Sequence, residues 1–262
     1  MNFLHISDTH YLNDYSKVND GFKDAFKVMT NPLTQLKELV DEIKVPIDFV
    51  IHSGDLTHSG DLIDYVELKK GLIDIFGDTK ILVTPGNHDN SKELKKVFEP
   101  NEDPTLPLVT YNKFNDLGVI SFDSMCETDQ NGEVTDEVCS KVLEILDNNK
   151  NEKILLFTHH HLIKDQFELP SAKINKLFDE IINRKEIIGL ITGHTHHVYS
   201  TKYNGKDYFT GNGVSFSVEN ENGELIIEER SGIQLFTFEN DKLEMENILQ
   251  NKPVKKIGIL KF

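Results

Sequence analysis

Short apolar runs recur along the chain, separated by stretches of helical periodicity, and the first covers residues 2–7, where Phe3, Leu4 and Ile6 predict a buried strand that Asp8 ends. Residues 11–31 are polar and weakly periodic. Leu33, Leu36, Leu39, Val40 and Ile43 then fall at helical spacing until Pro46 closes the helix. A second strand over 48–53 ends at Gly54-Asp55, and Leu62, Val66, Leu68, Leu72 and Ile75 mark the next helix. Residues 80–84 make a third strand, broken by Pro85-Gly86, before a short helix over 91–98. Residues 99–107 hold three prolines and no period, which predicts a surface excursion near the strand ends.

The same alternation continues with a strand over 119–122 and a helix on Val138, Val142, Leu143, Ile145 and Leu146, started by Asp136 and Glu137. A strand over 153–157, a helix around Ile174, Leu177, Phe178, Ile181 and Ile182, and a strand over 187–191 follow. Beyond His197 the period falls to two: residues 198–203 and 206–209 flank Asn204-Gly205, a hairpin signal, and further strands are expected over 213–218, 224–229 and 232–238. The charged stretch 241–262 has no assigned structure. Sequential βα units ending in antiparallel strands predict a layered α/β fold whose loops gather at the carboxyl ends of its strands. With no repeat, low-complexity linker or break, residues 1–262 read as a single domain, 197–262 being its β-rich C-terminal part.

Five of these strands end in residues of metal-ligand type: Asp8-Thr9-His10, Gly54-Asp55, Gly86-Asn87-His88-Asp89, His159-His160-His161 and Gly193-His194-Thr195-His196. In the last, two ring nitrogens at i and i+2 converge only if the backbone turns sharply after the strand, a turn that Gly193 permits. Any one motif is weak evidence. Their recurrence at successive strand ends is not an accident of composition.

Bulk properties narrow the setting. A net charge of −16 excludes a broad phosphate-backbone contact surface, so nucleic acid is not an expected partner. Only Cys126 and Cys139 are present, which predicts no disulfide framework and a reducing, cytoplasmic location. No apolar run approaches the ~20 residues of a membrane helix, and residues 1–4 run into the first motif without a signal-peptide pattern. The expected protein is soluble, unprocessed and free of membrane.

The candidate ligands are Asp, His and Asn without a thiolate, a set suited to divalent Mn, Fe or Zn rather than to a structural zinc knot. There are enough for two ions. A carboxylate such as Asp55 can bridge a pair about 3.5–4 Å apart, where a shared hydroxide attacks phosphorus in line, so phosphoester hydrolysis is the natural use.

In these blocks the sequence resembles the calcineurin-like metallophosphoesterases, from Asp8 to His196. The resemblance implies a four-layer α/β/β/α sandwich with mixed sheets and a dinuclear site. Asp8, His10 and His196 would hold one metal, Asn87, His159 and His194 the other, with Asp55 bridging. His88 would contact the phosphate and protonate or hydrogen-bond the leaving oxygen, Asn87 would share in substrate binding, and Asp89 would orient His88. His159 is taken as the ligand of its triplet because the first His of the family's pair usually is; His160 would line the substrate pocket and His161 lie in a loop.

Two departures stand out. Tyr11-Leu12 follow His10 where the family often has Gly two residues on, and no proline follows the His triplet. His5 and His52, inside strands, are expected to be satisfied core histidines, while His58 and His197 are expected to be solvated or peripheral. The segment Gly54-Asp55-Leu56-Thr57-His58-Ser59-Gly60 is most similar to the cyclic-nucleotide phosphodiesterase branch, which favours a small phosphodiester such as a 3′,5′-cyclic nucleotide. Phosphomonoesterase or protein phosphatase is the near alternative, with DNA exonuclease and non-catalytic scaffold behind it. A sheet edge or the C-terminal strands would be the surface for a homodimer. Substrate selectivity is expected from the loops 11–31, 99–110 and 160–172.

Overall fold

The computed structural model describes residues 1–262 except 19, 127, 165, 167–170 and 261–262, so that part of the 160–172 loop lies outside the described residues. The chain begins with Asn2–Ile6 (β1), the four-residue helix Lys23–Phe26 (α1), Pro32–Asp41 (α2), Phe49–His52 (β2), Leu62–Phe76 (α3), Lys80–Val83 (β3) and Ser91–Phe98 (α4). It continues through Val109–Phe114 (β4), Leu117–Phe122 (β5), Asp136–Asn148 (α5), Lys153–Phe157 (β6), Lys176–Asn183 (α6) and Ile187–Thr192 (β7). The rest is strand: Tyr199–Tyr203 (β8), Lys206–Thr210 (β9), Ser217–Glu221 (β10), Glu224–Glu228 (β11), Gly232–Glu239 (β12), Lys242–Leu249 (β13) and Lys256–Leu260 (β14).

Polar residues at the predicted junctions start the helices. Asn31 Oδ1 accepts from Leu33 N at 2.9 Å ahead of Pro32, Asn90 caps α4, Thr135 caps α5 and Asn175 caps α6. Hairpins turn on residues that tolerate left-handed backbone. Asn204-Gly205, Asn222-Gly223 and Asn240-Asp241 all have positive φ and close β8–β9, β10–β11 and β12–β13.

Two mixed sheets result, ordered β13-β12-β1-β2-β3 and β4-β5-β6-β7-β9-β8, with a smaller sheet β10-β11-β14 beside them. In the first, β1, β2 and β3 are parallel and β12 runs antiparallel to β1. Between the two large sheets lies an apolar layer in which Phe3, Phe49, Ile51 and Phe236 of one meet Val119, Leu155, Phe157 and Ile191 of the other. Phe3 stacks on Phe49 at 4.6 Å and on Phe236 at 5.0 Å, while Phe49 meets Phe114 of the opposite sheet at 4.0 Å. Each such buried ring contributes on the order of 1.5–3 kcal/mol. Leu36, Leu68 and Leu94 of α2, α3 and α4 cover the outer face of the first sheet; Val142, Phe178 and Ile181 of α5 and α6 cover that of the second. Helix, sheet, sheet and helix make four layers, as expected.

The segment expected as a strand over 213–218 departs from the prediction. Val214 N and Ser215 N donate instead to Ser7 O and Asp8 O, which carries the segment past the end of β1, and regular pairing begins only at Ser217. β4, β13 and β14 were not anticipated. In β13 Leu243, Met245 and Ile248 are half-buried and Leu249 is exposed, so its apolar positions fall out of strict alternation after Met245. Both cysteines are free thiols, and among the described residues no helix is long and apolar enough to cross a membrane.

Candidate metal centre

The carboxyl ends of β1, β2, β6 and β7 point to one place, because parallel pairing within each sheet keeps those ends in register. Asp8 N donates to Gly54 O and His10 N to Asp55 O, each at 3.0 Å, which ties the first strand-end loop to the second. Gly193 N donates to His159 O at 2.9 Å in the other sheet. The sheets then meet through side chains. A Cβ on Gly193 would stand 2.8 Å from Asp8 Oδ2, so only glycine lets the two loops touch. Asp8, His10, Asp55, His194 and His196 all hold positive φ, from 42° to 73°. Such backbone costs a non-glycine residue on the order of 1 kcal/mol or more, and it concentrates here, where the side chains converge.

Asp55 is the centre of the cluster. Its Oδ2 lies 3.5 Å from His10 Nε2 and also 3.5 Å from His159 Nε2, while Oδ1 accepts from His88 N at 2.9 Å. On one side, His10 Nε2 faces His196 Nε2 at 3.1 Å, and His196 Nε2 lies 3.3 Å from Asp8 Oδ1. On the other, Asn87 Oδ1 lies 3.1 Å from His159 Nε2 and 3.0 Å from His194 Nδ1. His159 Nδ1 donates to Ser53 O and His196 Nδ1 to Phe216 O, so in neutral rings both Nε2 atoms present lone pairs.

The cluster is short of positive charge. Asp8 Oδ1 is buried and has no hydrogen-bond partner among the described residues. Burial disfavours a charged His159, yet the Asp55 carboxylate overrides it and raises the ring to about 9. Burial works against His196 too, and Asp8 raises it. Asp55 would be raised by burial, but His159 and His88 hold it well below the ordinary carboxylate range. Burial drives His10 and His194 the other way, well below the usual imidazole value. Carboxylate and amide oxygens with imidazole nitrogens, facing one another and drawing in positive charge, fit divalent cations on both sides of Asp55. Asp8 with His10 and His196, and Asp8 with Asp55 and His159, each offer ligand atoms within 4.8 Å of one another.

Several expected roles are changed by the geometry. Asp89 does not orient His88: its oxygens accept from Leu56 N, Thr57 N, Gly86 N and Tyr65 Oη, at 2.9 to 3.1 Å. A buried carboxylate beside a tight turn collects the backbone donors the turn exposes, and nothing of it remains for the ring. His88 Nδ1 instead donates to His58 O at 3.1 Å. His160 does not line an open pocket, since it is fully buried, with Nδ1 on Ser124 Oγ and Nε2 on Gln130 O. His161 is likewise buried. His5 is satisfied by Gln234 and Ser53, as expected of a core histidine, while His52 bonds Thr9 through Nε2, and its buried Nδ1 has no hydrogen-bond partner among the described residues. His197 is peripheral, 3.6 Å from Glu219. His58, expected at the periphery, is only 7% exposed and sits against His10 and His88.

Above the cluster, Phe22 of the 11–31 segment approaches His10 and His88 at about 6 Å, and Phe216 stacks on His196 at 4.2 Å. A cleft of about 240 Å³ opens beside His58, lined also by Leu12, Val18, Asp20 and Asp64.

A sandwich of two mixed sheets with helices outside, carrying an Asp, Asn and His cluster at its strand ends, is the architecture of a metal-dependent phosphoester hydrolase. The chain belongs to the calcineurin-like phosphoesterase family, whose model matches residues 1–198. It is 28% identical to a probable glycerophosphodiester phosphodiesterase from Arcobacter nitrofigilis, over 77% of this chain and 74% of that one. It is 26% identical to a probable cyclic nucleotide phosphodiesterase from Vesicomyosocius okutanii, over 83% of this chain and 88% of that one. In fold it is similar to a dimetal phosphatase from Danio rerio, with TM-score 0.61 and 13% identity over 98% of each chain.

Proposed function

We propose that this protein hydrolyses small phosphodiesters with two divalent cations, Asp8, His10 and His196 holding one and Asn87, His159 and His194 the other, with Asp55 shared. The observation that carries the reading is the position of Asp55 Oδ2, equidistant at 3.5 Å from a ring nitrogen of each group. Divalent cations of the Mn, Fe or Zn type supply charge against the phosphate and lower the pKa of water. The chain's own residues do the rest. Asp55 Oδ1, by accepting the His88 backbone N–H, fixes where that side chain stands. The His58 carbonyl holds His88 Nδ1 and leaves Nε2 to serve the departing ester oxygen. Asn87, whose Oδ1 lies beside His159 Nε2 and His194 Nδ1, would hold the second cation with them and share in binding the substrate, and Phe22 and Phe216 would narrow the approach for water.

A diester is preferred because the curated relatives named above carry phosphodiesterase names, one for glycerophosphodiesters and one for cyclic nucleotides. Two free cysteines in a chain of this length support a reducing, cytoplasmic setting. The test is steady-state hydrolysis of bis-p-nitrophenyl phosphate beside p-nitrophenyl phosphate, by chelated protein and after Mn²⁺ is restored. Metal-dependent preference for the diester is expected and leads on to cyclic nucleotides and glycerophosphodiesters. Preference for the monoester would move the protein to the phosphatases, and failure to take up metal would overturn the reading.

A further inference from the structure

His58 lies outside the five ligand blocks, three residues beyond Asp55, yet it joins the cluster to the 11–31 segment. Its Nε2 is 2.8 Å from Asp20 Oδ2 and its Nδ1 is 3.2 Å from His10 Nδ1. Phe26 meets the ring in a T-shaped contact at 4.7 Å and His88 stacks on it at 4.6 Å, so two rings hold its orientation.

Proton bookkeeping along this row has one solution for neutral rings. A carboxylate only accepts, so His58 Nε2 carries the proton that Asp20 receives. His58 Nδ1 is then a lone pair, and the hydrogen bond between the two Nδ1 atoms has His10 as its donor. With its proton on Nδ1, His10 presents an Nε2 lone pair, and that is the atom facing His196 Nε2 and Asp55 Oδ2. His10, His58 and His88 also offer nitrogens within 4.8 Å of one another, a grouping that could itself suggest an ion. An ion seated between His10 Nδ1 and His58 Nδ1 would require His10 to ligate through both nitrogens and lose both ring protons, which a buried ring beside Asp55 opposes.

We propose that Asp20 and His58 form a relay that fixes the His10 tautomer and so sets the affinity of the Asp8, His10 and His196 position for its cation, with neither residue touching the ion. The inference rests on the dinuclear reading above. His58 is thus a positioning residue, and Asp20 ties cation affinity to the segment that carries Phe22. Partners of this kind are commonly worth about 10–100-fold in metal affinity.

The test is calorimetric titration of Mn²⁺ into the chelated full-length chain, with Co²⁺ absorption spectra for ligand geometry and circular dichroism for folding. His58→Leu is expected to weaken one of two Mn²⁺ sites by about 10–100-fold and to alter one Co²⁺ spectrum, leaving the other site unchanged. His58→Asn places an acceptor oxygen near the lost Nδ1 and is expected to restore most of the affinity. Asp20→Ala should weaken the same site in the wild-type background and have no effect in the H58N background, a contrast that stands even if H58L fails to fold. Unchanged Mn²⁺ affinities in H58L, or H58N no better than H58L, would overturn the relay and leave the dinuclear reading intact. A wild-type chain that takes up no Mn²⁺ would overturn that reading first.

Discussion

His88 donates its backbone N–H to Asp55 Oδ1 at 2.9 Å, so the residue proposed to assist the leaving group and the carboxylate proposed to be shared by two cations are joined by one contact. That contact belongs to the main chain of His88. Its imidazole can therefore be removed without breaking that hydrogen bond.

His88→Ala is accordingly expected to lower kcat by about 10²–10⁴ on diesters of alkyl alcohols, whose leaving oxygen needs a proton. The loss should be much smaller on p-nitrophenyl esters, whose leaving group departs as a stable anion, and bound metal should be unchanged. Rates on both ester types beside elemental analysis check this; equal losses of metal and activity would contradict the role.

Asp55→Asn removes the charge that both proposed ion positions would share, and it should weaken both together. Mn²⁺ titration reads the two affinities directly. Selective loss of one ion would show that Asp55 serves a single position.

Asp89 gives a contrasting case. Its carboxylate receives three backbone N–H groups and the Tyr65 hydroxyl, so Asp89→Ala should cost about 3 kcal/mol or more of stability through orphaned buried donors. Thermal unfolding should fall by several degrees, while kcat per folded molecule changes less than in His88→Ala. The reverse ranking would restore Asp89 to the chemistry.

Asp123, just after β5 and not itself a member of the cluster, supplies a pH dependence of stability. Burial raises its carboxyl from 3.8 to about 6. A folded value above the unfolded one means that the fold holds the proton more tightly; the stability this confers is complete below about 3.8 and is lost as pH rises through about 6. Asp123→Asn should thus raise the melting temperature at pH 7.5, by an amount corresponding to at most about 3 kcal/mol, and by about half as much at pH 5. Melts of both proteins at the two pH values decide it.

How much of this could be read in advance differs from residue to residue. Asp8, Asp55, Asn87, His159, His194 and His196 were legible because each follows an apolar strand, and a parallel sheet brings such ends together. His58 was not, since nothing local distinguishes it from a solvated loop histidine; its partners are Asp20, 38 residues away, and His10, 48 residues away. Asp89 and His160 were misplaced for the opposite reason. Both sit beside true members of the cluster, and only the fold reveals which backbone donors and acceptors claim their side chains. Asn222-Gly223 carried the same hairpin signal as Asn204-Gly205 and could have located the strand beginning at Ser217.

Strand β1 pairs on one side with β2 and on the other with β12, residues 232–239. As the chain leaves the ribosome, Phe3 and Leu4 must wait more than two hundred residues for their second neighbour. Until then β1 exposes an unpaired apolar edge, the kind of surface that chaperones cover and that strands of other chains can capture. Val214 and Ser215, which bond Ser7 and Asp8, come nearly as late. The loop that carries Asp8 and His10 is therefore synthesised long before the segments that lock it in place, and a chain that stalls before β12 would hold all of the cluster's residues without the framework that aligns them.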